Sequence, residues 1–285
     1  MTEPRTLLEG LHVGESPRWH DGRLWLANWG TGEIVAVDAE GQSEVMARVP
    51  TTVPYCFDWL PDGSLLVVSG QEAQLLRQQT DGKFTLHADL SAFASGWNEI
   101  VVDGRGNTYV NGSDYKFAPG EPFVPGVVAL VKPDGSVQQV ADDIHFPNGM
   151  VVTPDSKTLV VTESFRARLT AFDIQPDGTL TNRRVFAELG QGGDGICLDR
   201  EGAIWTSAFV DGRPGCSRVA DGGKLLQRID LDDFCFACML GGDDGQTLFM
   251  LVAEWRGVEN AAAMFAATTG RVLTTHAPAP HAGRP

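Results

Sequence analysis

Six times along the chain an apolar run breaks at a tight polar turn and resumes as another apolar run. The turns are His20-Asp21-Gly22-Arg23, Pro61-Asp62-Gly63-Ser64, Asp103-Gly104-Arg105-Gly106, Pro154-Asp155-Ser156-Lys157, Asp199-Arg200-Glu201-Gly202 and Asp243-Asp244-Gly245-Gln246. Counted at residues 22, 63, 106, 156, 202 and 245, they are spaced by 41, 43, 50, 46 and 43 residues. A turn of this composition joins two antiparallel strands, because Gly adopts the positive φ that tight hairpins need. A fixed period in the forties is the mark of a repeat architecture, each repeat being one supersecondary unit.

Each hairpin is followed by a third strand-like segment, such as Glu33–Asp38, Val127–Val131 or Leu169–Ile174, and then by a short fourth, such as Phe84–His87 or Arg183–Phe186. Six four-stranded units predict an all-β fold, a six-bladed β-propeller formed by residues 1–285 as one domain. A sandwich or a pair of barrels has no reason to repeat one turn at even spacing. The last unit is one strand short, and Thr6–Leu11 precedes the first; that N-terminal strand is expected to close the ring by completing the last blade. The Ala-rich stretch Asn260–Ala267 reads as a single helical turn, and the Pro-containing tail from Ala277 as loose.

The repeat superposes the blades. Seven or eight residues before each turn lie Glu15, Cys56, Asn98, Asn148, Asp194 and Cys238. Equivalent positions at the start of the innermost strand surround one mouth of a propeller's channel, so two carboxylates and two amides are brought to one axis. Carboxylates facing each other in a channel repel, and burying either costs several kcal/mol. A cation relieves both penalties. The oxygen-only set suits one divalent metal ion, Ca²⁺ first, with Mn²⁺, Mg²⁺ and Zn²⁺ also compatible. Three protein ligands would leave coordination positions open for water and substrate. The competing reading is a water-filled channel that needs no metal.

The net charge of −15 argues against nucleic acid or an anionic membrane as partner, since phosphate binding needs clustered Lys and Arg. No apolar run approaches the ~18 residues of a membrane span. The first residues lack the basic-then-apolar build of a secretory signal, which points to the cytoplasm. Five cysteines include Cys235-Phe236-Ala237-Cys238, but the pair sits in an apolar strand-like run without a second ligand pair. Buried reduced thiols are the expectation. No Gly-x-Ser-x-Gly elbow accompanies Ser164 or Ser207, which excludes a nucleophilic-serine hydrolase of that type. The Gly-Gly pairs precede no helix and are turns, not phosphate loops.

The segments Glu15-Ser16-Pro17-Arg18-Trp19, Phe146-Pro147-Asn148-Gly149-Met150 and Gly193-Asp194-Gly195-Ile196-Cys197 resemble the signature segments of the SMP-30/gluconolactonase (regucalcin-like) family, with Trp97-Asn98-Glu99 between them. The resemblance spans nearly the whole chain. It implies one divalent cation held by Glu15, Asn148 and Asp194, with Asn98 contacting substrate or both substrate and metal, and Asp194 doubling as the acid/base group. It implies opening of a lactone; cleavage of other esters or organophosphates at the same site, or calcium binding without turnover, are the alternatives.

Two departures stand out. Gly96 occupies the position where sugar-lactone members of the family commonly carry Arg, and Glu99 replaces a common Asp. Tyr55, Phe57, Trp97, Phe117, Phe146 and Trp255 make the surroundings aromatic, which leans toward a less polar lactone. Trp97, Glu99, Tyr55, Phe57, Phe146 and His145 are accordingly the candidate substrate contacts. His145, three residues before Asn148, is a proton-shuttle candidate against a plain surface hydrogen bond. The other histidines show no ligand spacing. The segment Tyr115–Pro125 is the candidate lid. The expected partner is a small lactone or ester; a protein-binding propeller without metal is the competing class, and the oligomeric state is not legible.

Overall fold

A computed structural model describes residues 3–116, 120–207, 209 and 211–283. Among the described residues twenty-four strands form six antiparallel four-stranded sheets. Blade 1 opens with Gly14–His20, blade 2 with Tyr55–Trp59, blade 3 with Gly96–Val102, blade 4 with Pro147–Val152, blade 5 with Ile196–Leu198 and blade 6 with Phe234–Gly241. These inner strands touch their neighbours in turn, and the sixth touches the first, which closes the ring of a six-bladed β-propeller. The closing strand is N-terminal as expected: Arg5–Leu11 pairs with Gly270–His276 and completes blade 6.

The recurring Asp of the turns has a local cause. Asp62, Asp103, Asp155, Asp199 and Asp244 each accept the backbone N–H two residues on, at 2.8–3.1 Å. This Asx turn reverses the chain between the first and second strands of a blade. Because all these turns lie at one end of the ring, the starts of the inner strands lie at the other, here called the mouth.

The core is divided into layers between blades. Cys56, Leu66, Trp97 and Ile100 fill the space between blades 2 and 3, and Tyr109, Met150, Leu159 and Phe172 that between blades 3 and 4. A larger cluster joins blades 5, 6 and 1 through Trp205, Cys238, Phe249 and Leu24. Outer strands such as Ser43–Arg48 are mostly exposed. Trp97, 1% exposed, carries enough of one layer that truncation to Ala would cost about 3–5 kcal/mol.

Ala261–Ala266 forms the expected helical turn. The tail is not loose. Ala277 and Ala279 are buried, the Pro280 carbonyl accepts Arg200 N–H at 2.8 Å, and Ala282 N–H donates to Leu198 at 3.0 Å. The prolines remove donors, yet their carbonyls still anchor the segment beneath blade 5. All five cysteines are free and buried. Among the described residues no helix is long and apolar enough to cross a membrane.

Candidate functional site

The inner strands are not regular where the candidate residues sit. In blade 1 the pairing steps from Glu15↔Ala27 to Arg18↔Trp25. In blade 3 it steps from Trp97↔Gly112 to Ile100↔Val110, and in blade 4 from Pro147↔Glu163 to Met150↔Val161. Each step contains one extra residue on the inner strand, a β-bulge that re-aims side chains out of the strand's alternation. Ser16 takes φ 49° as part of the first bulge. In blade 5 the strand begins only at Ile196, which leaves Asp194 on the connector. Blade 2 pairs regularly through Cys56.

These distortions bring four of the six ring positions together. Asn98 Nδ2 donates to Asn148 Oδ1 at 3.3 Å, and the Asn148 side chain hydrogen-bonds Asp194. Glu15 feels the charges of Asp194 and Glu99. Glu15 is 5% exposed, whereas Asn98, Asn148 and Asp194 remain partly accessible. The four oxygen-bearing side chains are therefore graded from buried to reachable.

Electrostatics in the channel are strained. Burial, then repulsion by Asp194 and Glu99, holds the Glu15 pKa well above the ordinary carboxylate value. Burial, then Glu99, does the same for Asp194. The counter-charge lies one layer deeper: Arg18, 4% exposed, donates to Glu99 Oε1 at 3.2 Å and to the Ile100 carbonyl at 2.7 Å. Its Nε is 3.8 Å from Asp58. Burial raises the Glu99 pKa, and the Arg18 charge works against that rise. Glu99 is thus the ion-pair partner of Arg18 under the site. Among the described residues no three acidic, imidazole or thiol groups alone converge into a metal cluster; the set depends on the Asn148 amide.

Three expected substrate contacts lie elsewhere. Tyr55 is fully buried with its hydroxyl donating to the Asn28 carbonyl at 2.6 Å. Phe57 is fully buried between blades 1 and 2, and Trp97 Nε1 donates to the Ala94 carbonyl at 3.0 Å inside the blade 2–3 layer. Alternation along a strand sends neighbours of a channel position sideways into the layers between blades. Cys56 and Cys238 also sit in those layers, Cys238 with its Sγ 3.8 Å from Cys197. The inner strand of blade 6 reaches further toward the mouth than the others, so Cys235, which feels Asp194, is the nearer thiol. Phe117 lies outside the described residues.

His145 Nε2 is 3.0 Å from Asp143 and its ring packs on Phe123, which ties it to the rim. Phe146 stacks on Phe165 with centroids 4.7 Å apart. The described part of the Tyr115–Pro125 segment leans on blade 4 through Tyr115 and Phe123 against Phe165. A second aromatic group joins Phe209, Phe234, Phe236 and Trp255.

Supporting residues were not legible in sequence. Asn111 Nδ2 donates to the Asn148 carbonyl at 2.6 Å while its Oδ1 accepts Glu99 N–H. Glu163, with a fully buried carboxylate, accepts His145 N–H at 2.9 Å and pairs with Arg166, Arg168 and Arg183. No motif marks them, because their partners are set by packing: Asn111 reaches Asn148 on the next blade, and Glu163 gathers His145 from the connector with Arg166, Arg168 and Arg183 from later in its own blade. Two shallow clefts, of about 270 and 330 Å³, lie between blades 4 and 5 and between blades 6 and 1 and contain none of the candidate residues.

Comparison with known proteins adds the following. The family model described as SMP-30/Gluconolactonase/LRE-like region matches residues 13–254. Regucalcin of Gallus gallus is 29% identical over an alignment of 298 positions that covers 95% of each chain. Pentonolactonase XacC of Haloferax volcanii is 26% identical over 267 positions, covering 90% of this chain and 87% of its own. Among solved structures, a calcium-binding protein, regucalcin, of Agrobacterium tumefaciens matches with a TM-score of 0.75 at 21% identity, covering 99% of this chain and 95% of its own. That likeness is one of fold.

Proposed function

Because the chain belongs to the SMP-30/gluconolactonase/LRE-like family, we propose that it is a divalent-metal-dependent hydrolase that opens a lactone ring. The observation that carries this reading is the convergence of Glu15, Asn148 and Asp194, with Asn98 bonded to Asn148, in one partly accessible channel. The donor set fits a hard cation. Glu15, Asp194 and Glu99 are buried within reach of one another's charge, and the Arg18 guanidinium one layer deeper is engaged by Glu99 and Asp58. Glu15, Asn148 and Asp194 would hold the ion, with Ca²⁺ the best match to oxygen-only ligands. When bound, such an ion supplies Lewis-acid polarisation of a carbonyl.

The chain's own groups supply the rest. Asp194 takes a proton from the attacking water as its oxygen bonds to the lactone carbonyl carbon. When the ring C–O bond breaks, the same proton goes to the leaving alkoxide, so one water and one lactone give one hydroxy acid. Asn98, anchored through Asn148, orients the substrate, and Arg18 holds Glu99 away from it.

The test is elemental analysis of gently purified protein, paired with lactone and aryl-ester assays before and after chelation. About one divalent ion per chain with chelator-sensitive lactone hydrolysis is the expected result. Metal without turnover would assign a calcium-binding role instead. Protein that takes up no divalent ion at all would sink the proposal.

A further inference from the structure

The rim of the mouth carries aromatic rings at equivalent places in different blades. The second strand of each blade returns to the mouth, so the loop after it lies on the rim. That loop holds Trp29 in blade 1, Phe165 in blade 4, Phe209 in blade 5 and Trp255 in blade 6, while the connector before blade 4 adds Phe146 and the first residue of blade 6's inner strand adds Phe234. None of these six is fully buried. Among the described residues the aromatic side chains that stand out as exposed are Phe165, at 52%, and Trp255, at 46%. Both belong to this rim.

Several polar side chains of the described part of the same rim are already engaged. His145 pairs with Asp143 at 3.0 Å, Arg256 with Glu254 at 2.6 Å, and Asp114 accepts Ser95 N–H at 2.7 Å. Gly96 offers no side chain beside Asn98. Recognition of a polyhydroxylated ring needs several unengaged donors and acceptors, and a site lacking them leaves hydroxyls unpaired. Ring faces, in contrast, bind a flat apolar group by stacking and area burial.

From this geometry we propose that the site takes a lactone bearing a planar apolar ring, an aryl-fused or aryl-substituted lactone, in preference to a sugar lactone. The inference rests on the lactone-hydrolase reading above. The reaction is the same hydrolysis: water adds to the carbonyl, the ring C–O bond breaks, and a hydroxyaryl or hydroxyalkyl acid leaves. The carbonyl reaches Asp194 while the apolar ring stacks on the rim aromatics, of which Phe165 with Phe146 and Phe234 with Trp255 form two packed pairs.

The experiment compares kcat/KM for 3,4-dihydrocoumarin, γ-butyrolactone and glucono-δ-lactone in the wild type and in Phe165→Ala and Trp255→Ala. Phe165→Leu and Trp255→Leu, checked by circular dichroism, guard against misfolding while still removing the ring. The wild type should prefer dihydrocoumarin to the sugar lactone by at least about tenfold, and each variant should lower the dihydrocoumarin-to-butyrolactone ratio about tenfold. Preference for the sugar lactone, or an unmoved ratio, would overturn the inference. If no lactone is turned over, the hydrolase reading fails first. Calorimetric binding of coumarin to the wild type, lost in the variants, would then still support the aromatic rim, and its absence would overturn it. A wild-type dimer that becomes monomeric in these variants would make the rim a self-interface and overturn it as well.

Discussion

Ser164 Oγ donates to the Gly193 carbonyl at 2.6 Å, while Ser164 N–H donates to the Phe146 carbonyl at 3.1 Å. One residue at the end of a blade 4 strand therefore ties down the approach to two of the candidate ligands, at Gly193 directly before Asp194 and at Phe146 two residues before Asn148. Ser164→Ala should cost about 1 kcal/mol of stability and a larger share of function. We expect divalent-ion affinity and kcat/KM each to fall about tenfold, as when an outer partner of a metal ligand is lost. Ion titration and kinetics on the same samples check this; unchanged ion affinity would confine Ser164 to a structural role.

Asp194→Asn is expected to abolish turnover and yet stabilise the metal-free protein at neutral pH. The folded-state pKa values of Glu15 and Asp194 are raised. Above about pH 4 the unfolded chain loses these protons while the folded chain retains them, so the metal-free stability falls as pH rises through that window. A neutral amide removes the loss. Thermal unfolding in chelator between pH 4.5 and 8 should show a decline in Tm for the wild type that is flatter in Asp194→Asn and in Glu15→Gln. Parallel profiles would contradict the electrostatic account.

Gly149→Ala should be costly because the new methyl meets only main chain. Its nearest neighbours would be Ile196 N at 2.6 Å, the Asp194 carbonyl at 2.7 Å and Gly195 Cα at 2.8 Å. No rotamer change relieves such contacts, so a loss of about 1–3 kcal/mol is expected, together with displacement of Asp194. Denaturant unfolding and ion titration read the two effects; a variant matching the wild type in both would show that the inner strands separate freely.

Glu163→Gln tests the cluster behind His145. The Glu163 carboxylate is fully buried beside three arginines. Burial works to raise its pKa, and hydrogen bonds from Thr170, His145 N–H and Arg168 outweigh it, leaving it lowered. Its stabilisation is therefore present above the unfolded carboxylate pKa and disappears as pH falls through the lower folded value. The variant should lose about 3 kcal/mol at pH 7 and converge on the wild type in acid. A deficit that does not shrink with falling pH would mean that packing, not charge, is what the carboxylate provides.

Legibility followed the range of the interactions. The repeat could be read because an Asx turn is made by residues two apart, so Asp62, Asp155 and Asp244 carry their signal in the local sequence. Glu15, Asn98, Asn148 and Asp194 could be found because a repeat copies positions, and equivalent positions share an axis. Cys238 misled because the inner strand of blade 6 is longer at its mouth end, a difference that counting back from a turn does not register. Tyr55, Phe57 and Trp97 misled because nearness along a strand is not nearness in a channel: successive side chains diverge by half a turn.

The sequence by itself determined the propeller, its six blades and the oxygen-bearing ring, since each follows from period, turn chemistry and alternation within a few residues. Only the tertiary structure decided which of those oxygens reach the channel, through bulges at Glu15, Asn98 and Asn148. It alone also decided what neutralises Glu99 and which aromatic rings face outward. Those outcomes depend on pairs such as Arg18 and Glu99, or Ser164 and Gly193, that stand 81 and 29 residues apart. Distances of that kind are set by how blades pack, and no local pattern records them.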